Sequence, residues 1–414
     1  MPVRKIAVVG AGPAGMMAAI RAGQLGQTVS LFEKNNHPGK KLLLCGKGRC
    51  NLTNACGLED FLERFCGNGQ FLRDAFKKFF NRELIRFFED NGLKLKVERQ
   101  LRVFPVTDRS ASILEVLKKQ LAARNVTLIC SAPVEKILVD AGAVSGLALK
   151  DGQSIPADRV ILATGGVSYS FTGSDGGGLQ IARTLGHRVT ALRAGLVGLQ
   201  TQEDYPRKLE GLALKNIRLA FDDGKRRIVS EIGEMLFTAF GVSGPLVLTL
   251  SGKISDWLQE GRRVGMEIDL KPALSEEQLH DRLLREFKAN PRRGIRTILK
   301  ALLPLRLIDI FIQLAKFDPD KRASYISLDE RQRIVALLKH FRLQISQPRP
   351  IEEAMITRGG VSLKEIDPRT MESRLVKGLY FAGEIIDVDA DTGGFNLQAA
   401  FSTGYLAGES AALR

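Results

Sequence analysis

The sequence predicts an α/β fold in which a parallel sheet with flanking helices is interrupted by an inserted β-rich region and a helical block. Three observations predict this fold. A glycine-rich turn joins an apolar strand to a helix near residue 10, short alternating runs occupy residues 194–271, and Gly/Ala-rich strand and helix patterns return after residue 348. With 414 residues, 44% of them hydrophobic, the chain is long enough for two or three domains with their own cores.

The first elements are a strand, Ile6–Val9, the turn Gly10-Ala11-Gly12-Pro13-Ala14-Gly15 and a helix. Gly10 permits the tight turn, Gly12 lets the backbone approach a pyrophosphate, and Gly15 lets the helix pack closely on the strand. Glu33 follows a second strand, eighteen residues after Gly15, where a carboxylate can accept hydrogen bonds from ribose hydroxyls and disfavours a 2′-phosphate. This context favours a Rossmann-like unit that binds an ADP-containing cofactor over an accidental glycine-rich turn.

The elements that follow continue the α/β pattern. A loop rich in glycine, lysine and cysteine spans residues 40–54, helical periodicity covers residues 70–91 and 110–125, and strand patterns cover residues 126–130 and 134–139. A further apolar strand begins near residue 158 and ends in Ala163-Thr164-Gly165-Gly166. Small residues at the carboxyl end of a parallel strand leave room for a ligand.

The middle of the chain is predicted to be an insertion. Residues 194–271 have short alternating runs and turns such as Asp222-Asp223-Gly224, which indicate antiparallel strands, and residues 272–347 are predicted to be helical. Ser275 and Ser327 each begin a capping box. We therefore predict a cofactor domain formed by residues 1–193 and 348–414, with residues 194–347 inserted.

Cysteine and histidine usage argues against several kinds of site. The five cysteines include no CxxC pair, so the sequence indicates no disulfide framework, zinc ribbon or thioredoxin-type dithiol, and the four histidines form no metal-ligand pattern. We expect no metal. The first residues lead directly into a strand, and no apolar run reaches the roughly 18 residues of a membrane span, so we expect a cytoplasmic protein.

Charge is the unusual feature of the composition. Lysine and arginine number 61 against 46 aspartate and glutamate residues, which gives a net charge of +15. Such an excess is compatible with nucleic-acid contact but identifies no partner.

Five motifs occur in order along the chain: GAGPAG at 10–15, GKGRCNLTN at 46–54, ATGG at 163–166, GEMLFTAFGVSGP at 233–245 and GLYFAGEIIDVDADTGGFNLQAAFSTGYLAG at 378–408. Together they resemble the BaiN/YhiN-like family of NAD(P)/FAD-dependent oxidoreductases, also called RdsA-like or aminoacetone-oxidase-like. The resemblance extends over nearly the whole chain. It implies a glutathione-reductase-like FAD domain interrupted by a β-rich domain with a helical subdomain.

The resemblance also implies which residues contact FAD. The pyrophosphate would lie at Gly10, Gly12 and Gly15, the AMP ribose at Glu33, the adenine at the backbone of Val134, and the flavin beside Arg49, Cys50 and Asn51. Glu384 and Asp387 resemble the second flavin fingerprint, and the helix that follows would stabilise negative charge on the reduced flavin. The complete predicted set is Gly10, Gly12, Ala14, Gly15, Glu33, Lys34, Lys41, Gly46, Arg49, Cys50, Asn51, Val134, Ala163, Thr164, Gly165, Gly383, Glu384, Asp387, Gly393, Gly394, Phe395 and Asn396.

Two motifs depart from the family pattern. The family commonly has GGGRCN and SYPxTGSTGDGY, whereas this chain has Lys47 within the first motif and SYSFTGSDGGGL at residues 168–179 in place of the second. The departures lie on the substrate side and leave the pyrophosphate and ribose positions unchanged. They therefore weaken any transfer of substrate identity but not of cofactor identity.

The candidates for a proton donor are Cys50, Cys45 and Tyr169. A cysteine beside Arg49 is expected to have a lowered pKa and to act as acid or nucleophile, and the alternative is a small residue packed under the cofactor. No second glycine-rich nucleotide motif is present, so NAD(P)H, if it is the donor, would dock transiently at the flavin. We predict that the flavin N5 then delivers hydride to an activated double bond.

Three functions are compatible with these residues. The resemblance favours reduction of a uracil base in ribosomal RNA, because part of the family forms dihydrouridine there. The alternatives are oxidation or reduction of a small amine or enone-like metabolite, and a non-catalytic flavin redox sensor. A basic cluster in the helical block could contact RNA phosphates or could be a solvated helix face: Arg282, Arg285, Lys288, Arg292, Arg293, Arg296, Lys300 and Arg306.

Overall fold

A computed structural model describes residues 2–414 and separates them into two units. Unit 1 consists of residues 2–195 and Ile351–Arg414, and unit 2 consists of Leu196–Pro350. The boundaries predicted from the sequence, after residues 193 and 347, lie two and three residues from these.

The first part of unit 1 contains β1 (Lys5–Val9), α1 (Pro13–Gln24), β2 (Thr28–Phe32), α2 (Lys40–Leu44), β3 (Thr53–Asn54), α3 (Leu58–Leu62), α4 (Arg73–Lys78), α5 (Asn81–Asp90), β4 (Leu95–Val97), β5 (Arg102–Pro105), α6 (Ser110–Ala123), β6 (Thr127–Ile129), β7 (Val134–Asp140), β8 (Ala143–Leu149), β9 (Ser154–Pro156), β10 (Arg159–Leu162), α7 (Gly177–Thr184) and β11 (Arg193–Gly195). Unit 2 contains β12 (Leu199–Thr201), α8 (Tyr205–Lys208), β13 (Ala213–Asp222), β14 (Arg227–Val229), β15 (Gly233–Thr238), β16 (Gly241–Ser243), α9 (Pro245–Gln259), β17 (Val264–Asp269), α10 (Glu276–Ala289), α11 (Ile295–Leu299), α12 (Leu305–Ala315), α13 (Leu328–Lys339) and β18 (Phe341–Pro348). The chain returns to unit 1 with β19 (Ile356–Arg358), β20 (Leu379–Phe381) and α14 (Phe395–Leu413).

The centre of unit 1 is a five-stranded parallel sheet with the strand order β20-β10-β1-β2-β6. Its strands are apolar along their length because helices cover both faces of such a sheet; Val8, Ile161 and Leu31 are fully buried. The predicted α/β fold with a Rossmann-like unit is confirmed. In open sheets of this kind, ligands bind outside the carboxyl ends of the strands.

One predicted helix is interrupted. Residues 70–91 form a short 3₁₀ turn and then α4 and α5, which are separated by extended backbone at Phe79. The break lets Phe76 and Phe80 both pack edge-to-face on the Phe61 ring, with centroids 5.2 and 5.0 Å away. Packing of aromatic rings from a separate helix has therefore overridden the local helical pattern.

Unit 2 is built on a seven-stranded antiparallel sheet with the order β14-β13-β15-β16-β12-β18-β17, and β13 also pairs with β17. Six of these strands therefore form a closed ring, and β14 pairs outside it. The prediction that residues 272–347 are all helical is wrong at its end, because Phe341–Pro348 is the strand β18. Phe341, Leu343 and Ile345 alternate into the core of unit 2, as expected for a strand with one buried face.

Both predicted capping boxes are confirmed. The Gln278 N–H donates to Ser275 Oγ over 3.1 Å, and the Glu330 N–H donates to Ser327 Oγ over 3.2 Å. Each box satisfies two N–H groups at a helix start, so α10 and α13 begin where the sequence indicates.

A pH-dependent contribution to stability is expected from His340. Its imidazole lies 3.0 Å from Glu267 and 3.3 Å from Glu276, and these carboxylates raise the pKa of His340 above its ordinary 6.5. A raised folded-state pKa stabilises the protein below pH 6.5, and this contribution is lost as the pH rises through the raised value. We expect His340→Gln to lower the free energy of unfolding by about 0.5 kcal/mol at acidic pH and by less at alkaline pH, measured by urea denaturation.

The control for this prediction is His37→Gln. His37 is exposed, and its ring contacts the Asn36 amide rather than a carboxylate. An equal loss of stability in the His340 variant at acidic and alkaline pH would contradict the assignment.

Candidate functional site

The glycine-rich turn has the geometry that a phosphate-binding loop requires. Gly10 has φ +100°, and a Cβ there would lie 2.6 Å from the Ala163 carbonyl oxygen. A Cβ at Gly15 would lie 1.9 Å from the Gly10 oxygen, so the start of α1 packs against the turn itself. A Cβ at Gly12 would meet nothing within 4 Å, which leaves open space beside its backbone.

Glu33 is buried at the carboxyl end of β2. Its Oε2 accepts the Ala11 N–H over 2.9 Å, and its Oε1 accepts the backbone and side-chain N–H groups of Asn35 over 2.9 and 2.7 Å. Because a carboxylate offers about four lone-pair positions, one remains for a hydroxyl donor. The Ala132 N–H also donates to the Glu33 carbonyl, so the segment leading to Val134 and β7 lies beside it.

Helices α1 and α14 pack closely and run in the same direction. A Cβ at Gly404 would lie 2.2 Å from the Ala14 oxygen, and a Cβ at Gly408 would lie 2.3 Å from the Ala18 oxygen. Measured from this contact, α14 extends eight residues farther toward its N-terminus than α1 does, or about 12 Å at 1.5 Å per residue. Neither N-terminus has a side-chain cap, so both present free N–H groups at the same end of the unit.

The ends of β10 and β20 meet at a network of polar side chains. Glu384 Oε2 accepts Lys41 Nζ over 2.6 Å, and Glu384 Oε1 accepts the Ser168 hydroxyl over 3.0 Å and the Thr357 N–H over 2.7 Å. Lys41 also donates to Ser168 over 2.7 Å. A Cβ at Gly165 would lie 3.8 Å from Glu384 Oε2, so this network borders the predicted cofactor segment.

Gly383 and Asp387, from the motif that resembles a second flavin fingerprint, lie in the segment that precedes α14. Gly383 has φ +77°, and a Cβ there would lie 2.8 Å from the Ala14 Cβ; its N–H donates to Thr403 Oγ1. The Asp387 carboxylate is half-buried and accepts no hydrogen bond from residues 2–414, so it is available to a ligand hydroxyl. Asn396 instead bonds the Ala390 backbone in both directions, at 3.0 and 2.8 Å.

The loop at the start of the α14 region is held by glycine as well. Gly394 has φ +99° and caps α14 next to the Thr53 carbonyl, and Gly393 has φ +135° beside the Phe395 ring. Phe395 is buried and packs edge-to-face on Phe61 at 4.7 Å. These contacts fix the first turn of α14 in place.

Two predicted cofactor residues carry buried polar atoms without a partner. Asn51 Oδ1 and Thr164 Oγ1 make no hydrogen bond with any described residue. Buried polar atoms in proteins are nearly always paired. Together with the open space at Gly12, these atoms fit a polar ligand that supplies the missing partners.

Two predicted cations have protein partners instead. Arg49 pairs with Glu98 and Asp108, each at 2.5 Å, and its guanidinium lies 4.3 Å above the Phe104 ring. Lys34 pairs with Asp175 at 2.6 Å. Both charges are therefore largely neutralised within the protein.

The prediction that Cys50 has a lowered pKa is wrong, because its thiol is buried beside a second thiol. Cys50 is fully buried at φ +62°, and its hydrogen bond to Cys45 together with burial raises the pKa of its thiol. The same hydrogen bond lowers the pKa of Cys45, with help from the N–H groups of Asn51 and Gly46 and the charge of Lys41. Cys45, which is partly exposed, is therefore the thiol that ionises first.

Tyr169 is the third candidate. It has φ +49°, is half-buried, and its ring lies 5.7 Å from that of Phe171, whose side chain is 69% exposed. Burial and the negative charge of Cys45 raise the pKa of Tyr169 above 10, so its hydroxyl keeps its proton at neutral pH. Tyr169 thus joins Cys45 and Lys41 in one electrostatic cluster of unit 1.

The sequence pattern predicts neither the role of Thr357 nor the Cys45–Cys50 contact. Thr357 holds Glu384 through its N–H and Ser168 through its hydroxyl, but it lies 27 residues before Glu384, in a segment without a periodic pattern. The cysteine contact depends on a loop reversal at Gly46 and Lys47, both with φ +58°, which spacing alone does not reveal.

In unit 2, the basic cluster is exposed and unevenly distributed. The first half of α10 carries Glu276, Glu277 and Asp281, whereas positive charges dominate from its end onward. The exposed cations there are Arg285, Lys288, Arg292, Arg293, Arg296 and Lys300; Arg282 is half-buried, Arg296 pairs with Asp309, and Arg306 donates to the Lys208 and Glu210 carbonyls. The exposed part of the predicted basic cluster is therefore limited to residues 285–300.

No helix within residues 2–414 is long and apolar enough to cross a lipid bilayer. Nor does any group of His, Cys, Asp and Glu side chains in that range have the arrangement of a metal site.

Comparison with known proteins gives similarities over the whole chain. The family described as HI0933-like protein Rossmann domain matches residues 4–410. A 3-dehydro-bile acid delta(4,6)-reductase of Clostridium scindens is 33% identical over the full length of both chains. A ribosomal RNA dihydrouridine synthase of Escherichia coli is 30% identical over 96% of this chain and 95% of its own.

A solved structure shows the same fold at much lower identity. The 3-ketosteroid delta1-dehydrogenase from Sterolibacterium denitrificans has a TM-score of 0.51 and 15% identity, and the match covers all of both chains.

Proposed function

The chain belongs to the HI0933-like Rossmann family and is a flavin-dependent oxidoreductase, and we propose that it reduces a carbon–carbon double bond conjugated to a carbonyl, with a uracil base of ribosomal RNA as its favoured substrate. The family membership confirms the resemblance and the enzyme class predicted from the sequence. When bound, FAD supplies the hydride from its N5 atom, and we propose NAD(P)H as the electron donor.

The observation that carries the proposal is the pair of uncapped helix N-termini in unit 1. The N–H groups of α1 beside Gly12 would hold the pyrophosphate, and those of α14 would stabilise negative charge on the reduced flavin. The two N-termini are offset by about 12 Å along the helix axes, so they would contact different parts of one extended ligand. Asp387 and Asn51 offer unpartnered oxygens to the groups between.

A residue close to the Cys45 loop would donate the proton that completes the reduction. Hydride addition to a conjugated double bond leaves negative charge that a nearby acid must quench. Tyr169 holds its proton at neutral pH and is partly exposed, whereas Cys50 is enclosed and donates to Cys45. We therefore assign the proton to the Tyr169 hydroxyl, with Cys45 as the neighbour that modulates it.

The names of the two relatives support the proposed reduction of a conjugated double bond. One name describes a delta(4,6)-reductase of a 3-dehydro-bile acid and the other a dihydrouridine synthase of ribosomal RNA, and both reactions fit reduction of a double bond conjugated to a carbonyl. The shared chemistry is therefore better supported than either substrate. The net charge of +15 and the exposed cations at residues 285–300 favour RNA.

Reversing Arg292 and Arg293 tests the RNA surface. We expect Arg292→Glu with Arg293→Glu to weaken binding to ribosomal RNA by about tenfold or more and to reduce the slope of log K against log salt by about two, one for each phosphate contact. Filter binding across a salt series measures both. The double variant Lys118→Glu with Lys119→Glu, on the exposed face of α6, makes the same change in net charge and should bind nearly as the parent does.

The substrate is tested by nucleoside mass spectrometry of ribosomal RNA from cells with and without the gene. Loss of dihydrouridine that the intact gene restores would support the RNA assignment. An unchanged nucleoside profile would overturn it.

The second candidate is reduction of a small enone, which the 33% identity to the bile acid reductase favours. Turnover of a cyclic enone with NADH or NADPH, together with an unchanged ribosomal RNA profile, would establish it. Rapid flavin reoxidation by O2 without turnover of either substrate would instead indicate a redox sensor.

A further inference from the structure

Cys45 and Cys50 lie side by side although four residues separate them along the chain. The Cys50 N–H donates to the Cys45 carbonyl over 2.9 Å. Each thiol is also the largest influence on the pKa of the other. Gly46 and Lys47 turn the chain back in the left-handed region, which brings the two backbones side by side. Both thiols are free in this structure.

The environment makes the two sulfurs unequal. Cys45 is partly exposed and receives N–H groups from Asn51 and Gly46, with Lys41 nearby, whereas Cys50 has no exposed surface. A sulfur stabilised as thiolate in a partly exposed residue attacks oxidants, and a buried neighbouring thiol resolves the product. None of the other three cysteines has a thiol partner among the described residues.

We infer that Cys45 and Cys50 form a peroxide-reactive dithiol that closes to an intramolecular disulfide. In the first step the Cys45 thiolate attacks one oxygen of hydrogen peroxide, the O–O bond breaks, and the leaving hydroxide takes a proton to become water. The Cys50 sulfur then loses its proton and attacks the Cys45 sulfenic acid; the S–S bond forms, the S–O bond breaks, and a second water leaves. Two thiols are oxidised by two electrons and one peroxide is reduced to two waters.

The thiol chemistry is distinct from the double-bond reduction proposed above, although Cys45 also neighbours Tyr169. It consumes no substrate double bond and needs no cofactor, and its oxidised state is reversed by an added dithiol such as dithiothreitol. Thiol chemistry can therefore be tested on the purified full-length protein whether or not the reductase assignment holds.

Peptide mapping tests the disulfide directly. Trypsin places Cys45 in residues 42–47 and Cys50 in residues 50–64, which also contain Cys56. After treatment of the reduced protein with a small excess of hydrogen peroxide, we expect these two peptides to be joined with the loss of two hydrogens, and free thiols to fall from five to three. Dithiothreitol should restore both.

Matched variants identify the partners. Cys56→Ser should keep the joined peptides, since Cys56 contacts Asn54 through its backbone N–H. Cys45→Ser should abolish them and slow thiol loss by about tenfold or more. Because the wild-type map needs no variant, a folding defect in Cys45→Ser would not obscure the result.

Two outcomes would overturn the proposal. The first is joined peptides that disappear in Cys56→Ser. The second is the absence of joined peptides at peroxide doses that already oxidise Cys66 or Cys130.

Discussion

Gly404→Ala is expected to lower FAD affinity at least about 100-fold and to destabilise unit 1 by about 2 kcal/mol. A Cβ at residue 404 would lie 2.2 Å from the Ala14 carbonyl oxygen, which belongs to the backbone of α1 and cannot rotate away. The two helices must therefore separate, and the free N–H groups at their ends would no longer be spaced for one ligand. Helix propensity alone predicts the opposite sign, since alanine favours a helix by about 1 kcal/mol over glycine.

FAD titration of apoprotein and thermal unfolding measure the two effects. Gly57→Ala is the control, because Gly57 has φ −67° and a Cβ there meets nothing within 4 Å. If Gly404→Ala and Gly57→Ala bind FAD equally and unfold at the same temperature, α1 and α14 do not set the cofactor site.

Tyr169→Phe is expected to slow substrate reduction by about 10²- to 10⁴-fold while leaving FAD content and the rate of flavin reduction by NAD(P)H unchanged. The change removes only the hydroxyl, and the ring contact with Phe171 stays. Because the pKa of Tyr169 is raised, the wild-type rate should not fall as pH increases toward 10, the ordinary value for tyrosine. Stopped-flow measurement of flavin reoxidation separates the two half-reactions.

Ribosomal RNA from cells lacking the gene and 2-cyclohexen-1-one are suitable oxidants for this experiment. Tyr325→Phe, at a 68% exposed tyrosine of unit 2, controls for loss of a hydroxyl. Cys50→Ala in the same assay should retain FAD, and an unchanged reoxidation rate would remove Cys50 from the mechanism. Equal reoxidation rates in Tyr169→Phe and Tyr325→Phe would remove Tyr169 as the proton donor.

The features that local sequence determines were predictable. Gly10 and Gly15 need particular backbone space, and the residue types at a strand-to-helix turn reveal that need. Ser275 and Ser327 cap helices through residues three positions away. The capping partners and the contact of Gly15 with Gly10 lie within a few residues along the chain, so residue spacing is enough to predict them.

The features that depend on distant residues were not predictable. The break at Phe79 follows from packing on Phe61, and the pairing of Arg49 follows from Glu98 and Asp108, which a strand and a turn bring close. The strand at Phe341–Pro348 completes a ring whose other members precede it by 70 residues or more. The charge and the apolar pattern of the sequence show what type of residue occupies each of these positions. They do not show which distant residue it contacts.

The pairing of β10 with β20 has a consequence for the order of folding. Leu162 pairs with Phe381, so an edge strand of the parallel sheet is synthesised about 220 residues after the strand beside it. At about 5–20 residues per second, a ribosome needs about 10 to 40 s to cover that interval. During this time the insertion, Leu196–Pro350, is completed and can fold. The apolar edge of β10 and the face of α1 that packs on α14 stay uncovered until β20 and α14 are synthesised. This chain therefore depends most on protection from aggregation during synthesis, while its first segment lacks these two partners.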